Sequence, residues 1–526
     1  MATFTRDEVA SRILSGEHLL IFRGAVLRIP QFWLDAHPGG GLSILHYVGR
    51  DATDEIRAYH ANSIIPMVEK YAIGTLQEHF YPWDPFLPPV MAGWNFAGGK
   101  WTRTGKLDAT RTLLYEHTPA SADDSPTLLD LTPPDSALDL QEQARLSERW
   151  KELHSRIEDL GLYQCRYISG FGPEFVRYSI LAFTSWYTFQ HGWLMTSAVF
   201  LGLFWHQVLF FVHDLGHLGV TGNWNIDRLL AILAGDLLNG LSIGWWSDNH
   251  NIHHLVTNHP MHDPDIEYLP FFVISPAFFG NLYSTYYKRT MDFNAFAKVI
   301  VSIQHKLFYV VMLFARFNLF VLSYGSLYRR AYDTKRARGY GWAWGAEIVA
   351  CTAYWCWFGR VLVACGSWQR ALSYLLVCFA TTSPLHVTLV LSHFAMSTAD
   401  LGPRESFVHR QIRTTTDIYT PPSLEFIHGG LQMQVAHHLF PRVPRHNLRA
   451  VTRMVRKFCE ENDGIEFHEY GFFAGNKEVY GVLKGIAEMV EHFKVFANVA
   501  NTEAMEAVQK QIRKQETRMN DPGLGQ

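Results

Sequence analysis

Cysteine is scarce in this chain: Cys165, Cys351, Cys356, Cys365, Cys378 and Cys459 are the only six in 526 residues, and no two stand in a CxxC spacing. Four of them lie in apolar segments, where a small hydrophobe is the ordinary role, so neither a disulfide framework nor a zinc knuckle is indicated. Charge is thin as well. Charged residues make up 18%, 46 Lys and Arg against 49 Asp and Glu leave a net charge of -3, and no long basic run occurs. Nucleic-acid binding is thereby excluded. The first thirty residues lack an apolar core behind a basic start, so no cleavable signal peptide is read there and the N-terminus is expected to stay cytosolic. What the chain does have is aromatic: Trp, Tyr and Phe reach 14%, concentrated between about residues 170 and 400, which suggests a membrane. Its length exceeds one ordinary core, so two or more structural units are expected.

Residues 1–80 read as a compact polar domain of short apolar runs parted by Gly and Pro, and 81–140 as a Pro/Ser/Thr-rich linker. Helical periodicity returns over 141–160. Residues 175–212 are long enough for two membrane spans turning near Gln190-His191-Gly192, and 344–363 with 372–391 form a second hairpin. The apolar stretches 228–246 and 299–328, interrupted by Asp236, Lys306 and Arg316, read as interfacial or re-entrant helices. Basic clusters such as Arg329-Arg330 and Arg442 to Lys457 flank the helical regions, whereas the hairpin turns hold only Arg370. The positive-inside rule therefore puts both termini and the long connecting segments in the cytosol. The tail from Gly485 reads as an exposed, charged helix.

The run His37-Pro38-Gly39-Gly40-Gly41 is followed by Gly49-Arg50-Asp51-Ala52-Thr53 and then by His60. Two imidazoles on opposite walls of a pocket can fill both axial positions of a haem iron, leaving it electron transfer rather than oxygen binding. In this context the first 80 residues resemble a cytochrome b5 domain, which implies His37 and His60 as the axial ligands of haem b.

Three clusters share helical spacing: His213 and His217; His250, His253 and His254; Gln434, His437 and His438. Side chains at i, i+3 and i+4 share a helix face, so each cluster presents its donors toward one point. Seven histidines and a glutamine exceed what one ion requires and suit two metal ions of the iron class. A zinc hydrolase could use three of them, but it has no need of an attached one-electron carrier. A metal that must be reduced to activate oxygen does. His393, at the end of the last apolar segment, is a candidate further ligand, while His259 and His262, off the helical register beside prolines, are read as supporting or loop residues.

With these boxes in order behind a cytochrome b5 domain, residues 1 to about 460 resemble the front-end membrane fatty acid desaturases, where glutamine opens the third box as Gln434 does. The segments Leu241 to Trp246, Thr257 to Pro260, Asp263 to Asp265 and Ser392 to Thr398 look like the fungal branch that acts on sphingolipid long-chain bases at carbon 8. The resemblance implies a multi-domain protein: a small α+β haem domain, then an all-α integral membrane desaturase domain (141–470) with about four transmembrane helices, and a C-terminal cytosolic helix and tail (471–526). It also implies two non-haem iron ions, O2 as oxidant, electrons from NADH via cytochrome b5 reductase, ceramide or another membrane lipid as substrate, and residence in the endoplasmic reticulum with the metal site cytosolic. An acyl-lipid desaturase of the delta-5 or delta-6 type, a di-iron lipid hydroxylase and an inactive haem-bearing scaffold stay open as alternatives. The substrate's entrance is expected near Trp245-Trp246, Phe271-Phe272 and the polar run Asp263 to Glu267.

Overall fold

The computed structural model describes residues 2–77, 82–103, 125–332 and 340–519. Its N-terminal module runs β1 (Ala2–Phe4), α1 (Arg6–Leu14), β2 (His18–Phe22), β3 (Ala25–Ile29), α2 (Gln31–Ala36), α3 (Gly41–Leu45), α4 (Thr53–Tyr59), α5 (Ile65–Glu69) and β4 (Ala72–Leu76). The sheet order is β1-β4-β3-β2, with β1 parallel to β4 and the other pairs antiparallel. Thr5 starts α1 with a capping box: its hydroxyl accepts the Glu8 N–H, and the Glu8 carboxylate accepts the Thr5 N–H. His37 and His60 each end a helix, as the C-cap residues of α2 and α4.

The module does not stop at residue 80. Trp83, Phe86, Leu87, Trp94 and Trp101 join Val9, Ile13 and Leu19 in one core, and β5 (Trp94–Ala97) pairs antiparallel with β6 (Lys100–Arg103). The indole N–H groups of Trp83 and Trp101 donate to the Gly49 and Ile13 carbonyls at 2.9 and 2.8 Å. Proline gave this stretch the composition of a linker, but each buried aromatic removes more apolar surface from water than a flexible linker would. Residues 104–124, the middle of the expected linker, lie outside the described residues.

The second part is helical. In chain order it holds α6 (Leu140–Asp159), α7 (Gly172–Gln190), α8 (Leu194–Gly216), α9 (Trp224–Ala231), α10 (Ile243–Leu255), α11 (Gln304–Ala331), α12 (Tyr340–Ala364), α13 (Trp368–Thr381) and α14 (Ser383–Leu391). Then come α15 (Phe407–Thr414), α16 (Gln434–Leu439), α17 (Arg445–Glu460) and α18 (Phe472–Met519), with a short parallel pair of strands, β7 (Asp417–Tyr419) and β8 (Glu469–Gly471). Among the described residues, four helical stretches are long and apolar enough to cross a membrane: Leu194–Gly216, Gln304–Ala331, Gly341–Ala364 and Trp368–Leu391.

This set differs from the two hairpins expected from sequence in one member. α7 forms the first hairpin with α8 but falls short in apolarity, whereas α11 qualifies despite Lys306 and Arg316. Arg316 does not face lipid: it is fully buried, lies 4.5 Å over the Trp205 ring and donates to the Asn239 carbonyl at 2.8 Å. Both ends of α11 meet elements around box two. Gln304 brackets the Val273 backbone, accepting its N–H at 2.8 Å and donating to its carbonyl at 3.0 Å, and Arg330 pairs with Asp248 of α10. The stretch 228–246 is not one helix but the end of α9, a π-helical turn (Ile232–Leu237) and the start of α10. The C-terminal helix is not wholly exposed either, since Val479, Leu483, Ile486 and Val490 pack with Phe308 and Val301.

Candidate metal centre

Each histidine box is held by a different device. Box one ends α8, with His213 in the last turn and His217 as C-cap, and the intervening Asp214 is paired with Arg445 of α17 at 2.8 Å. Box two lies on α10, whose N-terminal donors are satisfied by Ser242 and by Glu347 from α12. Ser242 accepts the Trp245 N–H at 3.0 Å, and the Glu347 carboxylate accepts the Gly244 N–H at 3.2 Å. Box three lies on α16, where the Asp417 carboxylate takes the Val435 N–H at 2.9 Å. A core of Trp150, Phe407, Phe440, Leu448, Val451 and Val455 backs α16 against α6, α15 and α17.

The boxes converge on two groups. His213, His217, His250 and His437 form one, and His253, His393 and His438 the other; within each, one nitrogen per residue lies within 4.8 Å of the others. His254 sits between them, its Nε2 lying 3.0 Å from His250 Nε2 and 3.1 Å from His437 Nε2, with its ring stacked on His438 at 4.0 Å between centroids. All seven box histidines are therefore brought together, and so is His393. Gln434 is buried at the first position of α16. His259 and His262 belong to neither group: His259 faces Asp400 at 3.3 Å, and His262 bonds Thr285 at 3.0 Å with its ring 5.3 Å from His46 of the N-terminal module.

On four of these rings the outward nitrogen has a partner, whereas Nδ1 of His213 and of His254 is buried without one. His253 Nδ1 donates to Asp263 at 2.8 Å, His438 Nδ1 to the Gln411 amide oxygen at 2.9 Å and His393 Nδ1 to the Thr414 carbonyl at 3.3 Å; Asp265 lies 3.6 Å from His250 Nδ1. Burial, with the neighbouring imidazoles, drives His217, His254, His437 and His438 well below the ordinary histidine range, so all four are neutral donors. Burial acts the same way on His253, but the Asp263 carboxylate outweighs it and raises that group.

The fatty acid desaturase family model matches residues 191–470, a span that takes in every residue of both groups. The chain belongs to the fatty acid desaturase family. Among its relatives are three named delta 8-(E)-sphingolipid desaturase. That of Emericella nidulans is 42% identical, covering 93% of this chain and 96% of the relative; that of Komagataella phaffii is 37% identical over 92% and 94%; that of Kluyveromyces lactis is 36% identical over 95% of each. A cytochrome b5-like haem/steroid binding domain matches residues 5–77. The protein is thus an oxidoreductase of desaturase type, integral to a membrane, with a fused haem-type module.

The centre of this desaturase fits a metal pair. The nitrogens His213 Nε2, His217 Nε2 and His438 Nε2 are buried without a hydrogen-bond partner, a state that buried polar atoms rarely tolerate unless an ion takes it up. The 3.0 and 3.1 Å gaps between imidazole nitrogens are those of adjacent donors about 2 Å from one ion. The haem-type module passes the same test. The His37 and His60 rings face each other at 6.0 Å between centroids, their Nδ1 atoms turned outward to the Gly40 and Ile56 carbonyls. Room remains for one ion with an Nε2 on either side. Burial, with His60 nearby, lowers His37 to about 4, leaving it neutral. A Cβ on Gly41 would meet the Leu34 carbonyl oxygen at 2.7 Å, so only glycine lets the chain after His37 turn this tightly.

Sequence reasoning did not find Asp263, Asp265, Gln411, Asp417 or Glu347 as supports of the boxes. Asp263 and Asp265 lie in the polar run expected at a substrate entrance, yet both turn inward to histidines, and Trp246 stacks on His250 at 4.4 Å. Their signal was an acid within about a dozen residues of box two in a proline-braced loop; Gln411 had none.

Proposed function

We propose that this desaturase introduces a trans double bond at carbon 8 of the sphingoid long-chain base of ceramide, using O2 and electrons from NADH delivered by cytochrome b5 reductase through the fused haem module. The convergence of seven buried histidines into two groups, with His254 buried between them, beside that module carries the reading of the chemistry. The substrate and the position rest on the three fungal relatives, whose likeness runs the length of both chains. Overall, CH2–CH2 with O2, two electrons and two protons gives CH=CH and two waters.

In this reading His37 and His60 hold the haem, and His213, His217, His250, His253, His254, His393, His437 and His438 hold two iron ions, with Gln434 orienting or completing the set. Bound there, the haem supplies single electrons and the iron pair the oxidising power needed against an unactivated methylene. The residues of this chain do the rest. Asp263, Asp265, Gln411 and the Thr414 carbonyl fix which nitrogen of each ring faces inward. The stacked Trp246 and the apolar helices around the centre keep bulk water from it. Residence in the endoplasmic reticulum rests on the resemblance to the family, and the cytosolic placement of both termini and the metal centre on the basic clusters on the side opposite the two hairpin turns.

The test is expression in a yeast lacking sphingolipid and polyunsaturated desaturation, with mass spectrometry of long-chain bases and acyl chains. A new double bond in the long-chain base at carbon 8 is expected. Unsaturation confined to acyl chains would overturn the substrate, and a hydroxylated base without a double bond would overturn the reaction.

A further inference from the structure

The pocket between His37 and His60 is not closed by its own module. A cavity of about 500 Å3 starts between these imidazoles and continues to the surface of the desaturase domain, where His217, Asn225, Arg228, Asn251 and Arg442 line it. The modules are held in this relation by specific bonds. Tyr47 donates to the Leu255 carbonyl at 3.1 Å, Arg442 to the Ala58 carbonyl at 3.2 Å and Ser147 to Asp54 at 2.6 Å. The far wall of the cavity is thus a fixed part of the haem site.

That wall carries a cation that meets an aromatic face rather than an anion: the Arg228 guanidinium lies 5.4 Å from the centre of the Trp224 ring. Arg228 on α9 is 6% exposed, and its NH1 is buried with no hydrogen-bond partner. Arg442, also on the wall, lies over the Tyr163 ring at 4.7 Å. Neither makes an ion pair within 4 Å among the described residues. A buried guanidinium facing a cavity calls for an anion, and a planar carboxylate suits its fork. Haem b brings two carboxylates, the propionates, on one edge of the ring. With His37 and His60 on the two faces of the macrocycle, its edges lie in the plane of the cavity, and the edge directed toward α9 is the one that meets Arg228.

We propose that Arg228, assisted by Arg442, receives a haem propionate, so that the desaturase domain completes the haem site. This rests on the haem part of the function proposed above. It makes Arg228 a positioning residue that holds the haem with one edge toward His217. It also sets the reduction potential, because a cation beside a propionate favours the more negative, reduced haem.

The test uses the full-length holoprotein in detergent, comparing wild type with R228Q and R228K, each carrying haem or haem dimethyl ester, whose propionates are neutral. The readouts are the bis-imidazole spectrum, the midpoint potential and the rate of haem transfer to apomyoglobin. R228Q with haem is expected to keep the spectrum but to fall in potential by about 59 mV, a tenfold change for a one-electron couple, and to release haem several-fold faster. R228K, which keeps the charge but not the fork, should fall between wild type and R228Q. With the dimethyl ester, wild type and R228Q should release haem at the same rate and differ in potential by much less than with haem, because the pair is already broken. Equal effects of R228Q on haem and on its ester, or no effect on either, would overturn the proposal. Should R228Q fail to fold, wild type decides alone, since identical potential and release for haem and its ester would overturn it. Absence of any bis-imidazole spectrum in wild type would instead refute the haem reading itself.

Discussion

His393 shows how a residue of one apolar segment becomes part of a centre built by others. It follows α14 by two positions, and its ring lies 4.6 Å from His253 and 4.8 Å from His438, so its removal should act like removal of a box histidine. His393→Ala is expected to lower bound iron in purified protein and to reduce product at least as far as His253→Ala; full iron with near-normal turnover would remove it from the set. Asp263 acts one step further out. Without its carboxylate, His253 loses the acceptor that fixes its tautomer, and Asp263→Ala should lower iron affinity or activity by roughly 10–100-fold. Asp263→Asn, whose amide oxygen still accepts the Nδ1–H, should retain more; metal titration of the two variants side by side measures the difference. Gln434→His should likewise be milder than Gln434→Ala, as an imidazole can still donate from that position, and equal losses of iron would mean the amide serves another purpose.

Among the elements, those defined by local spacing were legible in the sequence and those defined by distant partners were not. Boxes at i, i+3 and i+4 announce a helix face by themselves, and the HPGG turn with a second histidine announces a pocket. Asp263, Gln411 and Glu347 support boxes from other elements, and no local pattern marks which acid or amide will do so. Composition misled where a few large side chains outweigh many polar ones: Trp83, Phe86, Trp94 and Trp101 tie a proline-rich stretch into a core, and Val479, Leu483, Ile486 and Val490 form a stripe within a charged helix. A further constraint lies where α8 crosses α10. A Cβ on Gly216 would fall 2.1 Å from the Trp246 ring, so Gly216→Ala must displace that indole or the end of box one. The expected loss is about 1–3 kcal/mol in thermal unfolding, as for overpacked cores, together with reduced iron, and Trp246→Leu in the same chain should recover part of both. A Gly216→Ala protein with wild-type melting and iron would show that the crossing is loose.

At the scale of the whole molecule, the haem-type module and the desaturase domain share contacts from Tyr47 to Arg442 and are joined by the chain itself. His37→Ala or His60→Ala should therefore abolish the bis-imidazole spectrum and turnover while leaving membrane insertion and the iron centre intact. A free cytochrome b5 should restore little, because the inert module still covers the face it would need. Measured with and without added soluble cytochrome b5, either variant is expected to remain far below wild type; normal turnover with no other cytochrome b5 present would show that electrons do not pass through this module. Joining also alters the kinetics in principle. A carrier that must find its acceptor by diffusion works at its bulk concentration and slows as salt screens the attraction between them, whereas a tethered one acts at an effective concentration in the millimolar range. In the function proposed above, the step from haem to metal is accordingly first order: diluting the enzyme or raising the ionic strength should leave it untouched, and only the arrival of an external electron donor should feel either.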